Sequence, residues 1–492
     1  MALRLADAGL RPLDRIVLQL PNIAEFVVVY YALVTIGVIP VMAMRAHRHT
    51  EIRHFVAHSG AVGWFIPGVF GGFDFPAMAE ELQPECPTLA HVFVAGAPRP
   101  GQTALAPMID TPADAAAVRT VLAQRPPDPD EVALMLLSGG TTALPKLIPR
   151  THNDYVYNAT QCGEVAGIRD DTVFMVVLPL AHNYNLASPG LMAALACGAK
   201  VVLAPSPDAD TVFPLVERER VSVIAAAVPL VAKWLASPVP TRHDLSSLKV
   251  IQNGGARLPP ELRQRVRDEW DATPQEIYGT AEGLINIVPL DSGDDELRHS
   301  SGRPVSPDDE IKVVDDQDRE VPDGEPGELL TRRPYTIRGY YQAPEKNRKA
   351  FTADGFYRMG DIVRKRGRHV YTEGRRKDLV NRGGEKISCD EIENYIFAHP
   401  KVKAVTLVAM PDPVFGEKAC AFVIPKDGQT LTFDELIAFL RAQKIASFEL
   451  PERLELRTAF PLSPAGKILK RTLREEITAQ LEAERAAKDT PR

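Results

Sequence analysis

Apolar residues along this chain come in short, near-continuous runs set between longer mixed segments, and that alternation sets the expected architecture. The runs at 15–20, Val132–Leu137, 172–178, Lys200–Leu203, 221–225 and 248–251 are β-branched or almost wholly apolar. A strand without polar alternation is buried on both faces, so the pattern predicts parallel sheets covered by helices. Residues 26–44 are nearly all apolar and approach the length of a membrane span. Gly37 and Pro40 interrupt them, however, and a polar run follows at 45–53. The segment therefore reads as a buried helix, a turn and a core strand at 38–44. Pro-rich stretches at 98–107 and 126–129 read as surface connections.

From about Gly302 the texture changes. Glu310–Val314, 327–331 and 369–372 read as shorter antiparallel strands, with Asp- and Gly-rich turns at 315–318 and 323–327. Beyond a charged junction at 374–378, the segments 389–398, 405–410 and 419–424 form a small α/β unit of ~110 residues, a normal domain size. The tail at 474–492, rich in Glu, Ala, Lys and Arg, reads as a solvated, fraying helix.

Composition narrows the function. At 492 residues the chain exceeds one ordinary core and suggests about three compact units. Apolar residues at 45% and charged residues at 25% are the balance of a soluble globular enzyme. The 57 basic and 64 acidic side chains leave a net charge of −7, which speaks against non-specific nucleic-acid binding, because phosphate contacts need a basic face. Cys86, Cys162, Cys197, Cys389 and Cys420 lie far apart and include no Cys-x-x-Cys pair. Neither a disulfide framework nor a zinc site is indicated, and a reducing cytoplasm is the expected location. Residues 1–14 carry no apolar signal core.

Four stretches carry candidate chemistry. Ser138-Gly139-Gly140-Thr141-Thr142-Ala143-Leu144-Pro145-Lys146 follows the apolar strand Val132–Leu137 directly. Its glycines let backbone N–H groups face a ligand, its hydroxyls add donors and Lys146 adds charge, which describes a triphosphate cradle. It lacks the Gly-Lys-Ser/Thr ending of a Walker loop. In Tyr278-Gly279-Thr280-Ala281-Glu282-Gly283, Glu282 is an oxygen ligand of the kind Mg²⁺ prefers, and Thr280 or nearby backbone can meet a phosphate. Asp361, after Gly360 and near a strand end, suits bidentate bonding to ribose hydroxyls. Lys467, in Pro461-Leu462-Ser463-Pro464-Ala465-Gly466-Lys467, can swing onto charge developing at phosphorus. Each also has a plain structural alternative: a polar glycine turn, a helix start, an Asx turn and a surface lysine.

The order of the motifs adds what none supplies alone. The phosphate loop, Gly254-Gly255-Ala256, Tyr278-Gly279-x-x-Glu282, Gly360-Asp361, Gly374-Arg375-x-Lys377-Asp378 and Pro461-x-x-x-x-Gly466-Lys467 occur in sequence. In this the chain resembles the adenylate-forming superfamily of acyl-CoA synthetases, luciferases and nonribosomal adenylation domains, from about residue 5 to 474. The resemblance implies an α/β fold with a large N-terminal domain, 1–376, of layered α/β subdomains and a small β-barrel-like part. A small mobile C-terminal α/β lid, 378–492, would be hinged at Lys377. The resemblance also implies ATP as substrate with Mg²⁺ at Glu282. ATP would contact Ser138, Gly139, Gly140, Thr141, Thr142, Lys146, Gly254, Gly255, Ala256, Tyr278, Gly279, Asp361 and Arg375. Thr280, Glu282 and Lys467 would serve adenylation, and Gly383 and Gly384 would face an entering pantetheine arm. By the same resemblance, the opening helix and strand of the fold are missing before Leu5.

Ala181-His182-Asn183-Tyr184 resembles the acid-binding signature of stand-alone aryl-acid ligases, such as the 2,3-dihydroxybenzoate and salicylate adenylating enzymes of siderophore synthesis. That implies that Asn183 bonds the carboxylate and ortho-hydroxyl, that Tyr184 packs on the ring, and that His182 stands near ATP. The absence of an aspartate at 183 argues against an α-amino acid. Ser188 matches the position that meets a 3-hydroxyl, while Ile285, larger than the usual valine, pulls against that match. 3-Hydroxypicolinate stays within the class. Asn185 and Ala187 depart from the Pro and Ser common beside Ser188, and Ala281 from the usual threonine. The implied partner is an aryl carrier protein with its phosphopantetheine thiol. Free coenzyme A is the alternative acceptor, and a non-catalytic nucleotide or acyl-adenylate binder the alternative of another class; no nucleic acid or membrane partner is expected.

Overall fold

The computed structural model describes the chain apart from residues 125, 139–144, 333, 376–378, 383–384, 444–448, 464–465 and 490–492. It divides into two units: Met1–Leu258, Arg265–Glu310 and Thr331–Tyr357 form the first, and Pro259–Gln264, Ile311–Leu330 and Arg358–Arg492 the second.

Two seven-stranded sheets build the first unit. One runs in the order Thr103–Ala104, His91–Ala95, Gly63–Pro67, Arg15–Leu18, Ile39–Met42, Val132–Leu137, Leu147–Thr151, and only its last pair is antiparallel. The other runs Lys200–Leu203, Val173–Val176, Val223–Ala226, Val250–Gly254, Thr273–Thr280, Gly283–Ile287, Arg303–Pro304, parallel until Thr273–Thr280 turns back on Gly283–Ile287. Ile39–Met42, Gly63–Pro67 and Val223–Ala226 are buried at every position, as continuous apolar runs require. Trp64, Phe55, Phe75 and Met78 pack beneath the first sheet with Val41 and Ile66. The apolar stretch at 26–44 is the helix Ala24–Thr35 followed by the core strand Ile39–Met42. Among the described residues no helix is long and apolar enough to cross a membrane.

The second unit carries a four-stranded sheet, Glu310–Val314, Pro326–Arg332, Tyr357–Arg366 and His369–Arg375, the last pair antiparallel, then a five-stranded sheet. In the latter the long hairpin Val402–Asp412 and Gly416–Pro425 has Val380–Arg382, Glu385–Ile387 and Arg453–Leu456 built onto it. The helices Cys389–Phe397 and Phe433–Ala442 cover one face through Ile392, Ile396, Leu436 and Leu440. The C-terminal helix Lys470–Asp489 is anchored rather than solvated along its whole length. Leu473 and Ile477 are buried against Val408, Met410, Cys420 and Phe422. The tail's composition hid this because two apolar residues a turn apart are enough to seat a charged helix.

Candidate active site

The phosphate-loop strand Val132–Leu137 and the antiparallel strand Leu147–Thr151 close the base of the loop between them. Ser138 N–H donates to the Lys146 carbonyl at 3.0 Å, and Lys146 N–H donates to Ser138 Oγ at 2.9 Å. Gly139, Gly140, Thr141 and Thr142 lie outside the described residues. Lys146 Nζ stands 3.6 Å from the centroid of the Tyr340 ring, a cation held over an electron-rich face.

Tyr340 faces the second motif. Its hydroxyl donates to Glu282 Oε1 at 2.8 Å and lies 3.2 Å from the Tyr357 hydroxyl, in a buried cluster. Burial first, and the Glu282 carboxylate second, push the Tyr340 phenol up, so it remains a proton donor to that carboxylate. The main chain of Glu282 is held too: its carbonyl accepts from Ile337 N–H at 2.8 Å. A bulge at Gly279 and Thr280 makes the turn into this motif. A Cβ on Gly279 would come within 2.3 Å of the Leu284 carbonyl oxygen, so only glycine fits there. Thr280 Oγ1 donates to the Gly283 carbonyl at 2.8 Å and thereby ties the two ends of the turn.

The residues expected to form the acid pocket belong to one buried hydrogen-bonded set. His182 caps the short helix Asn183–Ala187 by accepting from Tyr184 N–H at 3.3 Å. Tyr155 donates to Asn183 Oδ1 at 2.9 Å, and Asn183 Nδ2 donates to Ser188 Oγ at 3.1 Å. Asn158 Nδ2 also donates to Ser188 Oγ, at 2.9 Å. With two amides filling its lone pairs, Ser188 keeps only its O–H as a donor, and the buried Cys162 thiol lies within its reach. Asn185 turns inward, fully buried, and accepts from Leu178 N–H at 3.3 Å. The Tyr184 ring lies against the end of strand Val250–Gly254, where a Cβ on Gly254 would sit 2.9 Å from it. Gly254 thus makes room for the acid-pocket tyrosine, while Asn253 Nδ2, bound to the Ala256 carbonyl at 2.7 Å and to Glu276, shapes the following turn at Gly255. The Tyr184 hydroxyl is buried and has no hydrogen-bond partner among the described residues. Ile285 is buried opposite Gly279, and its N–H donates to Tyr335 Oη at 3.0 Å.

Arg150, which its sequence context does not single out, joins these two regions. Its guanidinium is fully buried, pairs with Asp154 at 2.8 Å, donates to the Ala281 carbonyl at 2.9 Å and lies 4.9 Å from the Tyr155 ring centroid. One arginine therefore braces the peptide before Glu282 and the tyrosine that orients Asn183. Tyr155, Asn158 and Tyr340 were equally invisible as site residues. The one signal was a charged residue at an inward position of the strand Leu147–Thr151.

In the second unit, Asp361 and Arg375 are cross-strand partners on Tyr357–Arg366 and His369–Arg375, so two distant motifs meet on one hairpin. Asp361 is buried. Lys467 is exposed at a tight turn in which Ser463 N–H donates to the Lys467 carbonyl at 2.7 Å and Gly466 N–H to the Ser463 carbonyl at 2.8 Å. Lys377, Gly383 and Gly384 lie outside the described residues.

A single buried carboxylate is a sparse metal site, and among the described residues no group of three or more His, Cys, Asp or Glu could hold an ion. One carboxylate does suit Mg²⁺ that arrives with a nucleotide, because phosphates and water fill the rest of its shell.

Comparison with known proteins places the chain in a family. Residues 1–341 match the AMP-binding enzyme family and residues 391–467 match the AMP-binding enzyme C-terminal domain. A 2,3-dihydroxybenzoate-AMP ligase of Bacillus subtilis is 44% identical, covering 96% of this chain and 86% of that protein. A salicyl-AMP ligase / salicyl-S-ArCP synthetase of Mycobacterium tuberculosis is 40% identical over 96% of this chain and 82% of that protein. Among solved structures, apo MbtA of Mycobacterium smegmatis superposes with a TM-score of 0.69 at 37% identity, covering 96% of this chain and 87% of that one.

Proposed function

The chain belongs to the AMP-binding enzyme family, and from that premise we propose that it activates a 2-hydroxyaryl carboxylic acid with ATP, releasing pyrophosphate. The aryl-adenylate is then handed to the phosphopantetheine thiol of an aryl carrier protein in siderophore or nonribosomal peptide synthesis. The observation that carries this reading is the buried set Tyr155–Asn183–Ser188–Asn158 next to Tyr184, whose oriented amide, hydroxyl and ring groups suit a flat 2-hydroxyaryl acid. The mycobacterial relative's name, which includes a carrier-protein acceptor, supports the second step.

A carboxylate attacks a polyanion poorly, so charge at the α-phosphate must be offset where it develops. Mg²⁺, when bound with ATP, would supply Lewis-acid neutralisation at the phosphates. Glu282 would hold it, with its carboxylate oriented by Tyr340 and its preceding peptide braced by Arg150. Lys146 and the loop backbone would hold the triphosphate, Asp361 and Arg375 the ribose, and Gly255 and Ala256 would border adenine. Asn183 would direct its second N–H to the acid's carboxylate, and Lys467 would stabilise the adenylation transition state. Residues 1–376 would form the core and 378–492 a lid hinged at Lys377.

Pyrophosphate release against a panel of acids tests the reading. The panel contains 2,3-dihydroxybenzoate, salicylate, benzoate, 3-hydroxypicolinate, aliphatic acids and amino acids. An ortho-hydroxylated aryl acid should win. Because Ser188 retains only a donor, 2,3-dihydroxybenzoate, with an acceptor at its 3-position, should exceed salicylate. Turnover of aliphatic or amino acids alone would sink the pocket assignment.

Tyr340→Phe keeps the ring under Lys146 and removes the hydroxyl with its bonds to Glu282 and Tyr357. The Mg²⁺ concentration for half-maximal pyrophosphate exchange should rise about tenfold, as for loss of one hydrogen bond to a charged group, with the KM for the acid unchanged. A raised acid KM at unaltered Mg²⁺ demand would place Glu282 elsewhere in the mechanism.

A further inference from the structure

The turn that carries Lys467 is short, and what fixes its position is not the turn itself. Three residues later Lys470 opens the C-terminal helix Lys470–Asp489, and its ammonium lies 2.7 Å from Glu393 Oε1 and 3.6 Å from Asp390 Oδ1. Asp390 and Glu393 stand one turn apart on the helix Cys389–Phe397, so both face the same side. Glu393 Oε1 is also the acceptor for Leu407 N–H at 2.6 Å and for Thr406 Oγ1 at 3.2 Å, on the strand Val402–Asp412. The Lys470 and Glu393 side chains keep only 17% and 18% of their exposure, so water screens the pair weakly. One carboxylate oxygen thus joins a helix, a strand and the first residue after the lysine turn.

We propose that the Glu393–Lys470 ion pair is a positioning device for Lys467, setting where the adenylation lysine stands without touching substrate; this rests on the reading of Lys467 given above. The helix does not need the pair to stay seated, because Leu473 and Ile477 already bury it against Val408, Met410, Cys420 and Phe422. The pair acts upstream of that anchor, at the junction with the turn. There the bridge Leu462↔Ile468 and the bond from Leu469 N–H to the Pro461 carbonyl close the two arms around Lys467. With two residues between clamp and lysine, three Cα–Cα steps leash the Lys467 Cα within about 10 Å of Lys470. Releasing the clamp leaves Lys467 present and charged but poorly placed. Misplacement of a group by about 1 Å is enough to cost up to ~100-fold in rate. The same pair binds the turn to the helix that directly follows the hairpin Val380–Arg382 and Glu385–Ile387, so both ends of this unit's chemistry ride on one body.

The test measures both half-reactions in the full-length enzyme: ATP–pyrophosphate exchange with the aryl acid, and transfer from a preformed aryl-adenylate to a pantetheine thiol. Lys470→Met should lower the kcat of exchange about 10- to 100-fold, leave the KM values for ATP and acid unchanged, and spare transfer. Lys470→Arg, which keeps the charge, should restore most of the rate. Glu393→Gln keeps an acceptor for Leu407 N–H while removing the charge, and gives the same selective loss should Lys470→Met prove insoluble. Proportional loss of both half-reactions, or loss of neither, overturns the proposal. Lys467→Ala runs beside them. If it too spares exchange, the reading of Lys467 fails and the clamp with it; if it abolishes exchange while Lys470→Met and Glu393→Gln do not lower it, only the clamp fails.

Discussion

Lys467→Ala should cut adenylate formation by about 10²–10³-fold, the loss typical of removing one preorganised charge at a developing anion, and leave thiol transfer from a preformed adenylate intact. The residue is exposed where its turn closes on Ser463, whose N–H donates to the Lys467 carbonyl at 2.7 Å and whose Oγ accepts from Lys467 N–H at 3.1 Å. An exposed lysine contributes little to stability, so the melting temperature should move by little. A drop confined to pyrophosphate exchange assigns Lys467 to the first half-reaction. Equal loss of exchange and transfer would contradict that role.

Asn183→Asp should be nearly as damaging, but for the acid alone. Asn183 is buried, accepts from Tyr155 and donates to Ser188. The new carboxyl keeps the Tyr155 bond, since burial pushes that phenol well up and it stays a donor. It loses the donation to Ser188 and sets a negative charge beside the substrate carboxylate. Two like charges ~4 Å apart at an effective dielectric near 20 repel by about 4 kcal/mol, roughly 10³-fold in affinity as an upper bound. Burial and the bound anion both favour the protonated form, so the new group's pKa is raised. Its penalty is then present above that pKa and relieved below it, and the acid KM should fall as pH is lowered. The KM for ATP should hold. An unchanged acid KM at neutral pH would remove Asn183 from the pocket.

Much of this molecule can be read from local pattern. Continuous apolar runs such as Val132–Leu137 and Val223–Ala226 became covered strands because an uninterrupted apolar strand has no face to give to water. The family was legible because its phosphate, ribose and lysine motifs are each short, contiguous and in fixed order. Boundaries were looser: the run at 248–251 continues to Gly254, where the chain passes the Tyr184 ring, and the tail helix starts at Lys470.

The sequence by itself determined which groups are present and in what order: a hydroxyl- and glycine-rich loop before Lys146, a carboxylate at Glu282, an amide at Asn183 and a lysine at 467. Their strand and helix settings follow from periodicity, which acts over a few residues. Only the tertiary structure decided how those groups are held. Tyr340 reaches Glu282 across 58 positions, Arg150 reaches the Ala281 carbonyl across 131, and Lys470 reaches Glu393 across 77. Such partners leave no local signature, because a tyrosine, an arginine or a lysine is chosen there by the shape and charge of a distant segment. Apolar burial is written residue by residue along the chain, whereas the orientation of a buried polar group is written in whatever folding brings to face it.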